Sequence, residues 1–276
     1  MCAQVVKNCN GKSIMTTAPN RDVFVTTSWD DGHPSDLRVA SLLDKYGLRG
    51  TFYIPRGGLD EILAPAAIRE LASAFEVGAH TLHHRVLTTA SPAEAKEEIV
   101  ASKSWIESVT GAPCSMFCPP EGKYSPVLLK MVAEAGYLGL RNVELASLDF
   151  PRLRKGCLLM PTTIQVYSHR PTTFARNAIK RMALGNLLRV ARRMRSTGWR
   201  ELAISLLSDA LRDGGVFHLW GHSWELQTGD QWLQLEHVLR AISDVADELS
   251  CLTNGQLCEQ SQARTLSPIG ANGSMR

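Results

Sequence analysis

Residues 23–32 read VFVTTSWDDG, an apolar and β-branched run that ends in two aspartates and a glycine. Such a run is typical of a buried strand, and Gly32 permits the tight turn that must follow it. A helix-patterned segment comes next, over 36–46, and ends at Gly47, a residue suited to a left-handed helix cap. A strand followed by a helix is the repeating unit of parallel α/β folds, so we expect this class of fold.

The alternation of strand and helix continues along the chain. Ser91-Pro92-Ala93-Glu94 offers a capping serine, a proline at the first helical position and a glutamate that can complete a capping box. We therefore predict a helix from Pro92 to Thr110, and two further helices over 126–135 and 231–249. The remaining strand candidates are 51–54, 115–118, 138–143, 158–166 and 215–220.

Length and composition fit one domain. With 276 residues, 44% of them hydrophobic, the chain can fill the core of a single (β/α) barrel. No internal repeat or linker divides it. We expect a barrel domain over residues 21–259, preceded by a flexible lead-in over 1–20. A tail over 260–276, rich in Ser, Gly and Gln, is predicted to be disordered.

The bulk properties favour a cytoplasmic protein. The first 20 residues lack the apolar run of a secretory signal, and no stretch has the roughly 18 consecutive apolar residues of a membrane span. The seven cysteines form an odd number without paired short spacings, which is typical of reduced thiols. We therefore expect a cytoplasmic location, which argues against an extracellular polymer as substrate. The net charge of +3 identifies no partner.

Asp30 and Asp31 form the first candidate site, at the end of the predicted strand. Sites in parallel α/β folds are built at the carboxyl ends of strands. Neighbouring side chains on an extended backbone point in opposite directions, so one aspartate can bind a metal while the other acts as a base. Taken alone, the pair is more typical of a helix N-cap followed by a solvated turn.

The second candidate site is a run of histidines. His80 and His84 are four residues apart, which in a helix or tight turn brings both imidazoles to one face, where they can bind one ion. Two imidazoles and one carboxylate leave coordination positions open for water and substrate, as in catalytic zinc sites. We expect His83 to be a bystander or to support the site, rather than to be a third histidine ligand. The alternative is a surface turn rich in histidine.

The third cluster follows the predicted strand 215–220. His222 there is well placed as a general acid that protonates a leaving amine. Trp220, Trp224 and Glu225 are candidates for a wall against which a sugar ring packs, although the aromatic residues could equally belong to the core. His218, inside the strand, is expected to pack in the core or to support the site.

Together the three clusters resemble the motifs of the polysaccharide deacetylase family, carbohydrate esterase family 4. Ser28-Trp29-Asp30-Asp31-Gly32 resembles its T-F-D-D-G motif, and His80-Thr81-Leu82-His83-His84 matches H-[ST]-x-x-H. Leu219-Trp220-Gly221-His222 resembles its last motif, an apolar strand that ends in histidine. The resemblance spans residues 22–225 and implies a distorted (β/α) barrel that removes N- or O-acetyl groups.

The resemblance also implies roles for individual residues. Asp30 is the expected general base and His222 the expected general acid. Asp31, His80 and His84 are the expected ligands of one divalent metal ion, Zn²⁺.

One motif departs from the family pattern. The family carries R-P-P-x-G, in which the arginine pairs with the catalytic aspartate, whereas this chain reads Cys118-Pro119-Pro120-Glu121-Gly122. The turn is expected to keep a backbone N–H for an oxyanion near Pro120 and Glu121. Arg141, at the end of the next predicted strand, is a candidate to supply the missing charge. Cys118 is expected to be a small buried residue.

A basic segment lies outside these motifs. Residues 170–200 contain nine Arg or Lys and no Asp or Glu, in a helical pattern. Such a segment can be a solvated helix face, can bind an anionic substrate such as a nucleotide sugar or a glycolipid precursor, or can lie on an anionic membrane. No nucleic-acid motif accompanies the charge, so we expect no nucleic-acid partner.

The sequence thus predicts a metal-dependent hydrolase that removes an N-acetyl group from a sugar or a sugar-containing small metabolite. One alternative is hydrolysis of a non-acetyl or cyclic amide on the same fold. Another is a catalytically weak barrel that only binds carbohydrate.

Overall fold

The structure, a computed structural model, describes residues 5–7, 13–15, 22–191 and 198–266. Their strands are β1 Val5–Lys7, β2 Ser13–Met15, β3 Val23–Asp30, β4 Thr51–Ile54, β5 Glu76–Ala79, β6 Met116–Phe117, β7 Gly139–Arg141, β8 Arg152–Arg154, β9 Cys157–Met160, β10 Ile164–Gln165, β11 Gly215–His222 and β12 Ser250–Cys251. Their helices are α1 Asp36–Lys45, α2 Pro65–Ala72, α3 Pro92–Thr110, α4 Pro126–Glu134, α5 Pro171–Arg181, α6 Leu184–Ala191, α7 Trp199–Asp213, α8 Gln231–Ser243 and α9 Asn254–Leu266.

The main sheet follows the order β10-β11-β3-β4-β5-β6-β7-β9-β8 and is parallel except for the β8–β9 pair. β12 adds to the amino-terminal half of β3. β9 pairs with β7 and β10 pairs with β11, so the turn over 161–163 between them carries the chain from one edge of the curled sheet to the other. The result is an α/β single domain built on a distorted barrel.

Two apolar clusters stabilise this architecture. The smaller one includes side chains from β4, β6, β9 and β11 together with Leu257 and Cys258 of α9. The larger one joins the helices to the sheet and includes Leu43 of α1, Ile99 of α3 and Leu206 of α7, all fully buried. Apolar area removed from water is the main favourable term in folding, so these two layers hold the strand ends in place.

Several predicted elements are confirmed, and α3 most completely. Its capping box is formed, with the Ser91 N–H donating to Glu94 Oε2 at 2.9 Å and the Glu94 N–H donating to Ser91 Oγ at 3.3 Å. The helix ends at Gly111, whose φ of 71° is left-handed. The predicted strand over 158–166 is instead split into β9 and β10, because Pro161 lacks the N–H that a continuous ladder needs.

The structure describes part of the predicted lead-in and part of the predicted tail. Within the lead-in over 1–20, β1 and β2 pair antiparallel and the other residues lie outside the described part. α9, which the sequence analysis missed, extends through Leu266 into the predicted tail, and residues 267–276 lie outside the described part. None of the helices described is long and apolar enough to cross a membrane.

Candidate active site and metal centre

The carboxyl ends of neighbouring strands bring the predicted site residues together. Asp30 is the last residue of β3, His80 directly follows β5 and Cys118 directly follows β6. Arg141 and His222 are the last residues of β7 and β11. Parallel strands end at one edge of the sheet, so five distant parts of the chain meet there.

Asp31, His80 and His84 form a compact group of ligand atoms that all lie within 4.8 Å of one another. Asp31 Oδ1 lies 3.4 Å from His80 Nε2 and 3.2 Å from His84 Nε2. This oxygen is buried and has no hydrogen-bond partner among the described residues. One carboxylate oxygen and two imidazole nitrogens form a donor set that suits Zn²⁺, so these residues fit a divalent ion.

Hydrogen bonds orient two of these candidate ligands. His80 Nδ1 donates to the Cys118 carbonyl at 2.7 Å, so Nε2, the nitrogen next to Asp31, is the one available to a metal. The indole N–H of Trp224 donates to Asp31 Oδ2 at 2.9 Å. Burial alone would raise the pKa of Asp31, but the close imidazoles of His80 and His84 outweigh it, so its pKa is lowered.

The loop that carries the two histidines is held by Glu98 of α3. Its buried carboxylate accepts the backbone N–H groups of Leu82 at 2.8 Å and His83 at 2.9 Å, and also the His83 Nδ1–H at 2.8 Å. His83 thus supports the loop and does not face Asp31. Glu98 was not predicted from the sequence. It lies next to Ile99 on the buried face of a helix, where an unpaired charge would be costly, and that position was the available signal.

Asp30 is not one of these three candidate ligands, although its carboxylate lies within 4.8 Å of a ring nitrogen of His80, and it is paired with Arg141. Arg141 Nη2 donates to Asp30 Oδ1, and both side chains are almost fully buried. Burial raises the pKa of Asp30, but the guanidinium of Arg141 and the nearby imidazoles of His80 and His222 outweigh it, so the pKa is lowered. Asp30 is therefore an ionised carboxylate in a site largely closed to water.

Arg141 is itself enclosed by aromatic rings. Its guanidinium carbon lies 4.8 Å from the centre of the Trp220 ring and 5.4 Å from that of Tyr53. Trp220 is only 4% exposed, so of the two places that the sequence left open for it, substrate wall and core, the structure shows the core. Trp220 lies on β11 two residues before His222, and Arg141 covers its ring.

His222 is oriented by a hydrogen-bonded chain of side chains. Its Nδ1–H donates to Glu225 Oε2 at 3.0 Å, and Glu225 accepts at 3.0 Å from the amide of Gln165, which in turn accepts from His169 Nε2 at 2.7 Å. The other nitrogen, Nε2, lies 4.0 Å from Asp31 Oδ2. Glu225 therefore orients His222, and its place in a substrate wall stays a prediction.

The same chain sets the protonation of His222. Burial lowers its pKa, but the hydrogen bond to Glu225 and the negative charges of Asp30 and Asp31 raise it, to about 8 overall. His222 is thus largely protonated at neutral pH, as a proton donor must be. Gln165 and His169 were not predicted, because nothing in the sequence fixes the register of the two-residue strand β10 against β11.

His218 takes a supporting position, as the sequence analysis expected. It is buried, its Nδ1–H donates to the Pro161 carbonyl at 3.0 Å, and its Nε2 lies 2.8 Å from Ser28 Oγ. Burial and the positive charge of Arg141 lower its pKa to about 3. It is a neutral link between β3, β11 and the turn over 161–163.

The predicted oxyanion loop is a short helical turn over Pro120–Gly122. Glu121 has a left-handed φ of 57°, and its side chain forms an ion pair with Lys123. Proline has no N–H, so within the pair Pro120 and Glu121 only Glu121 can donate one. Cys118 is fully buried, with its Sγ 3.9 Å from Asp30 Oδ2.

A cavity of about 400 Å³ opens beside Asp31 of the candidate metal site. Trp224 is 46% exposed at its rim and is the one residue of the three wall candidates that faces it. The cavity is lined by Asp31, His33, Leu59, Asp60, Glu61 and Trp224.

Comparisons with known proteins agree with this arrangement. Residues 17–140 match the family described as polysaccharide deacetylase. The chain is 33% identical over 110 residues to the peptidoglycan-N-acetylmuramic acid deacetylase PdaC of Bacillus subtilis, a match that covers 39% of this chain and 23% of that protein. The matches to curated relatives span less than half of those proteins' lengths.

Solved structures share the fold over most of the chain. A Mycobacterium smegmatis protein described as a polysaccharide deacetylase aligns with a TM-score of 0.65 at 17% identity, over 99% of this chain and 100% of that one. A family 4 acetyl xylan esterase from Clostridium thermocellum, in complex with cobalt, aligns at 0.54 and 18% identity, over 87% and 92% of the two chains. At these identities the likeness shows the fold alone. The predicted barrel and the family resemblance are confirmed.

Proposed function

We propose that this chain, a member of the polysaccharide deacetylase family, is a metal-dependent hydrolase that removes an N-acetyl group from a sugar or a sugar-containing small metabolite. One observation carries the proposal. A buried carboxylate, Asp30, is kept ionised by Arg141, immediately beside a separate set of one carboxylate and two imidazoles that fits a divalent ion. A binding module needs neither a charged base nor an oriented acid at such a place.

Asp31, His80 and His84 would hold the ion, for which we propose Zn²⁺. Bound there, Zn²⁺ would polarise the acetyl carbonyl and lower the pKa of a water toward about 7. The pairing with Arg141 keeps Asp30 ready to accept the proton of the attacking water. Arg141 also fixes the carboxylate in one orientation, which removes the need for reorganisation when the proton arrives.

His222 supplies the second proton transfer. Glu225 holds its Nδ1–H, so its Nε2–H is the proton that can reach the departing amine nitrogen. An amine leaves poorly without protonation, and the raised pKa of about 8 keeps this proton available at neutral pH. The Glu121 N–H is our candidate for holding the developing oxyanion.

Acetate release tests the proposal directly. Purified protein is loaded with Zn²⁺ and incubated with N-acetylated sugars, nucleotide sugars and peptidoglycan fragments, with and without chelator. Acetate that appears with one class and disappears on chelation supports the proposal and names the substrate class. A loaded protein that releases no acetate from any of them would refute it, and would favour a non-acetyl amide substrate or a carbohydrate-binding barrel.

We also propose that the protein acts in the cytoplasm. The described cysteines Cys114, Cys118, Cys157, Cys251 and Cys258 are all free thiols, which supports a reducing compartment. Fractionation of the source cells with antibody detection would test this, and recovery of the protein outside the cytoplasm would refute it.

A further inference from the structure

A second cavity, of about 260 Å³, is lined by none of the candidate metal ligands. It is formed between the rim of β7, the hairpin of β8 and β9, and the carboxyl-terminal end of α5. Its lining includes Tyr124, Asn142, Arg152, Arg154, Lys180 and Arg181. None of these residues has a part in the chemistry proposed above.

Asn142 is a buried polar residue that lines this cavity. It is 1% exposed, and neither its amide nitrogen nor its amide oxygen has a hydrogen-bond partner among the residues that the structure describes. A buried polar group without a partner is costly, and the large majority of such groups in proteins are paired. Because Asn142 lines the cavity, a bound molecule with a hydrogen-bond acceptor would pair its N–H groups.

The charges around the cavity favour an anion. Four cationic side chains line it, against two carboxylates, Glu144 and Asp149. Each carboxylate already has a partner: Asp149 pairs with Arg152, and Glu144 accepts from the amide of Asn186 at 3.2 Å. Arg154 and Lys180 are exposed and are left to face an incoming ligand.

Arg181 links the cavity to the predicted oxyanion turn. Its Nη2 donates to the Gly122 carbonyl at 2.9 Å, and its guanidinium carbon lies 5.0 Å from the centre of the Tyr124 ring. Asn142 directly follows Arg141, the partner of Asp30. The cavity and the proposed catalytic residues therefore share the rim of β7 and one turn of chain.

We propose that this cavity binds a phosphate-class oxyanion, with Asn142 Nδ2 as a buried donor and Arg154, Lys180 and Arg181 as the cations around it. The anion has two sources that share this chemistry: a phosphate group carried by the acetylated substrate, or free phosphate. Only the first source rests on the proposed deacetylase function.

Isothermal titration calorimetry on the Zn²⁺-loaded full chain tests the site. The probes are inorganic phosphate, N-acetylglucosamine 1-phosphate and, as the uncharged reference, N-acetylglucosamine. We expect both phosphate compounds to bind, with affinity that falls as salt is raised. R154A and K180A, which replace exposed side chains, should each weaken binding about 3- to 10-fold, since each variant loses one charge-assisted contact. N142D, which adds a negative charge, should weaken it at least about 10-fold.

K96A is the matched control, because it removes one exposed lysine from α3, away from the cavity. It should leave phosphate binding within twofold of the wild type. If N142D fails to fold, R154A and K180A still decide the matter, since both side chains are at the surface. Tighter binding of N-acetylglucosamine 1-phosphate than of inorganic phosphate would assign the anion to the substrate. Equal binding would assign it to free phosphate.

The failure of this site and the failure of the deacetylase proposal give different results. Acetate released from uncharged sugars, with phosphate binding absent or unaffected by R154A and K180A, would overturn the oxyanion site and leave the enzyme assignment intact. Phosphate binding that depends on Arg154 and Lys180, with no acetate from any substrate, would support the site and count against the enzyme assignment.

Discussion

Replacing Arg141 by Gln removes the positive charge from the buried pair with Asp30 and leaves a side chain of similar length. Both partners are almost fully buried, so water cannot substitute for the lost guanidinium. Removing one partner of a buried ion pair costs about 3–5 kcal/mol, because the other charge is left uncompensated. If about 3 kcal/mol of this stabilisation is lost from the transition state, the rate falls about 10²-fold.

The loss should depend on pH in a defined direction. In the wild-type protein the pKa of Asp30 is lowered, so the carboxylate stays ionised as the pH falls until that lowered value is reached. In R141Q the pKa of Asp30 rises, and the acid limb of the kcat/KM profile should move to higher pH. Part of the lost activity should then return as the pH is raised.

The assay is acetate release by the Zn²⁺-loaded enzyme at several pH values, together with thermal unfolding. R141K is the matched variant, since it keeps the charge but loses the planar fork that can lie between Tyr53 and Trp220. We expect it to fall between the wild type and R141Q. An R141Q protein with unchanged turnover and an unchanged acid limb would refute the role of Arg141.

Further predictions concern the other groups of the site. D31N should lose bound Zn²⁺, as measured by atomic absorption, whereas D30N should keep it and lose turnover by about 10²-fold or more; identical behaviour would contradict the division of labour between the two aspartates. E225Q should lower the pKa of His222 in the metal-free protein from about 8, as read by NMR titration, because a negative hydrogen-bond acceptor is removed. An unchanged value would show that the other carboxylates dominate. E98A should weaken Zn²⁺ binding by about 10-fold through the unsupported histidine loop, and unaltered affinity would exclude that support.

The site residues that could be predicted from the sequence are those that lie at the ends of predicted strands. Asp30 and His222 each close an apolar strand, and parallel strands end at one rim, so their meeting needed no structural information. The pairing of Arg141 with Asp30 could also be predicted. It requires only that the strand that follows the altered motif lies beside the strand that carries that motif. The structure has that order, with β6 next to β7.

The residues that could not be predicted depend on contacts between elements with no shared pattern. Gln165 reaches Glu225 only because β10 pairs with β11 after the turn over 161–163. The sequence also could not decide whether Trp220 lies in a substrate wall or in the core. An aromatic residue beside a catalytic histidine has the same sequence pattern whether its ring is open to substrate or covered, and here a charged side chain from another strand covers it.

The third motif lacks its arginine, and in this chain the positive charge lies on the neighbouring strand instead. Phe117 of β6 is paired in register with Leu140 of β7, so the next residues, Cys118 and Arg141, are neighbours across the strand pair. Both are fully buried, and both side chains approach the carboxylate of Asp30. A large side chain at both positions would overfill the rim, and a small one at both would leave Asp30 without a cation. The small thiol at 118 therefore makes room for the guanidinium at 141, and the pair supplies the positive charge from β7 that the family motif supplies from β6.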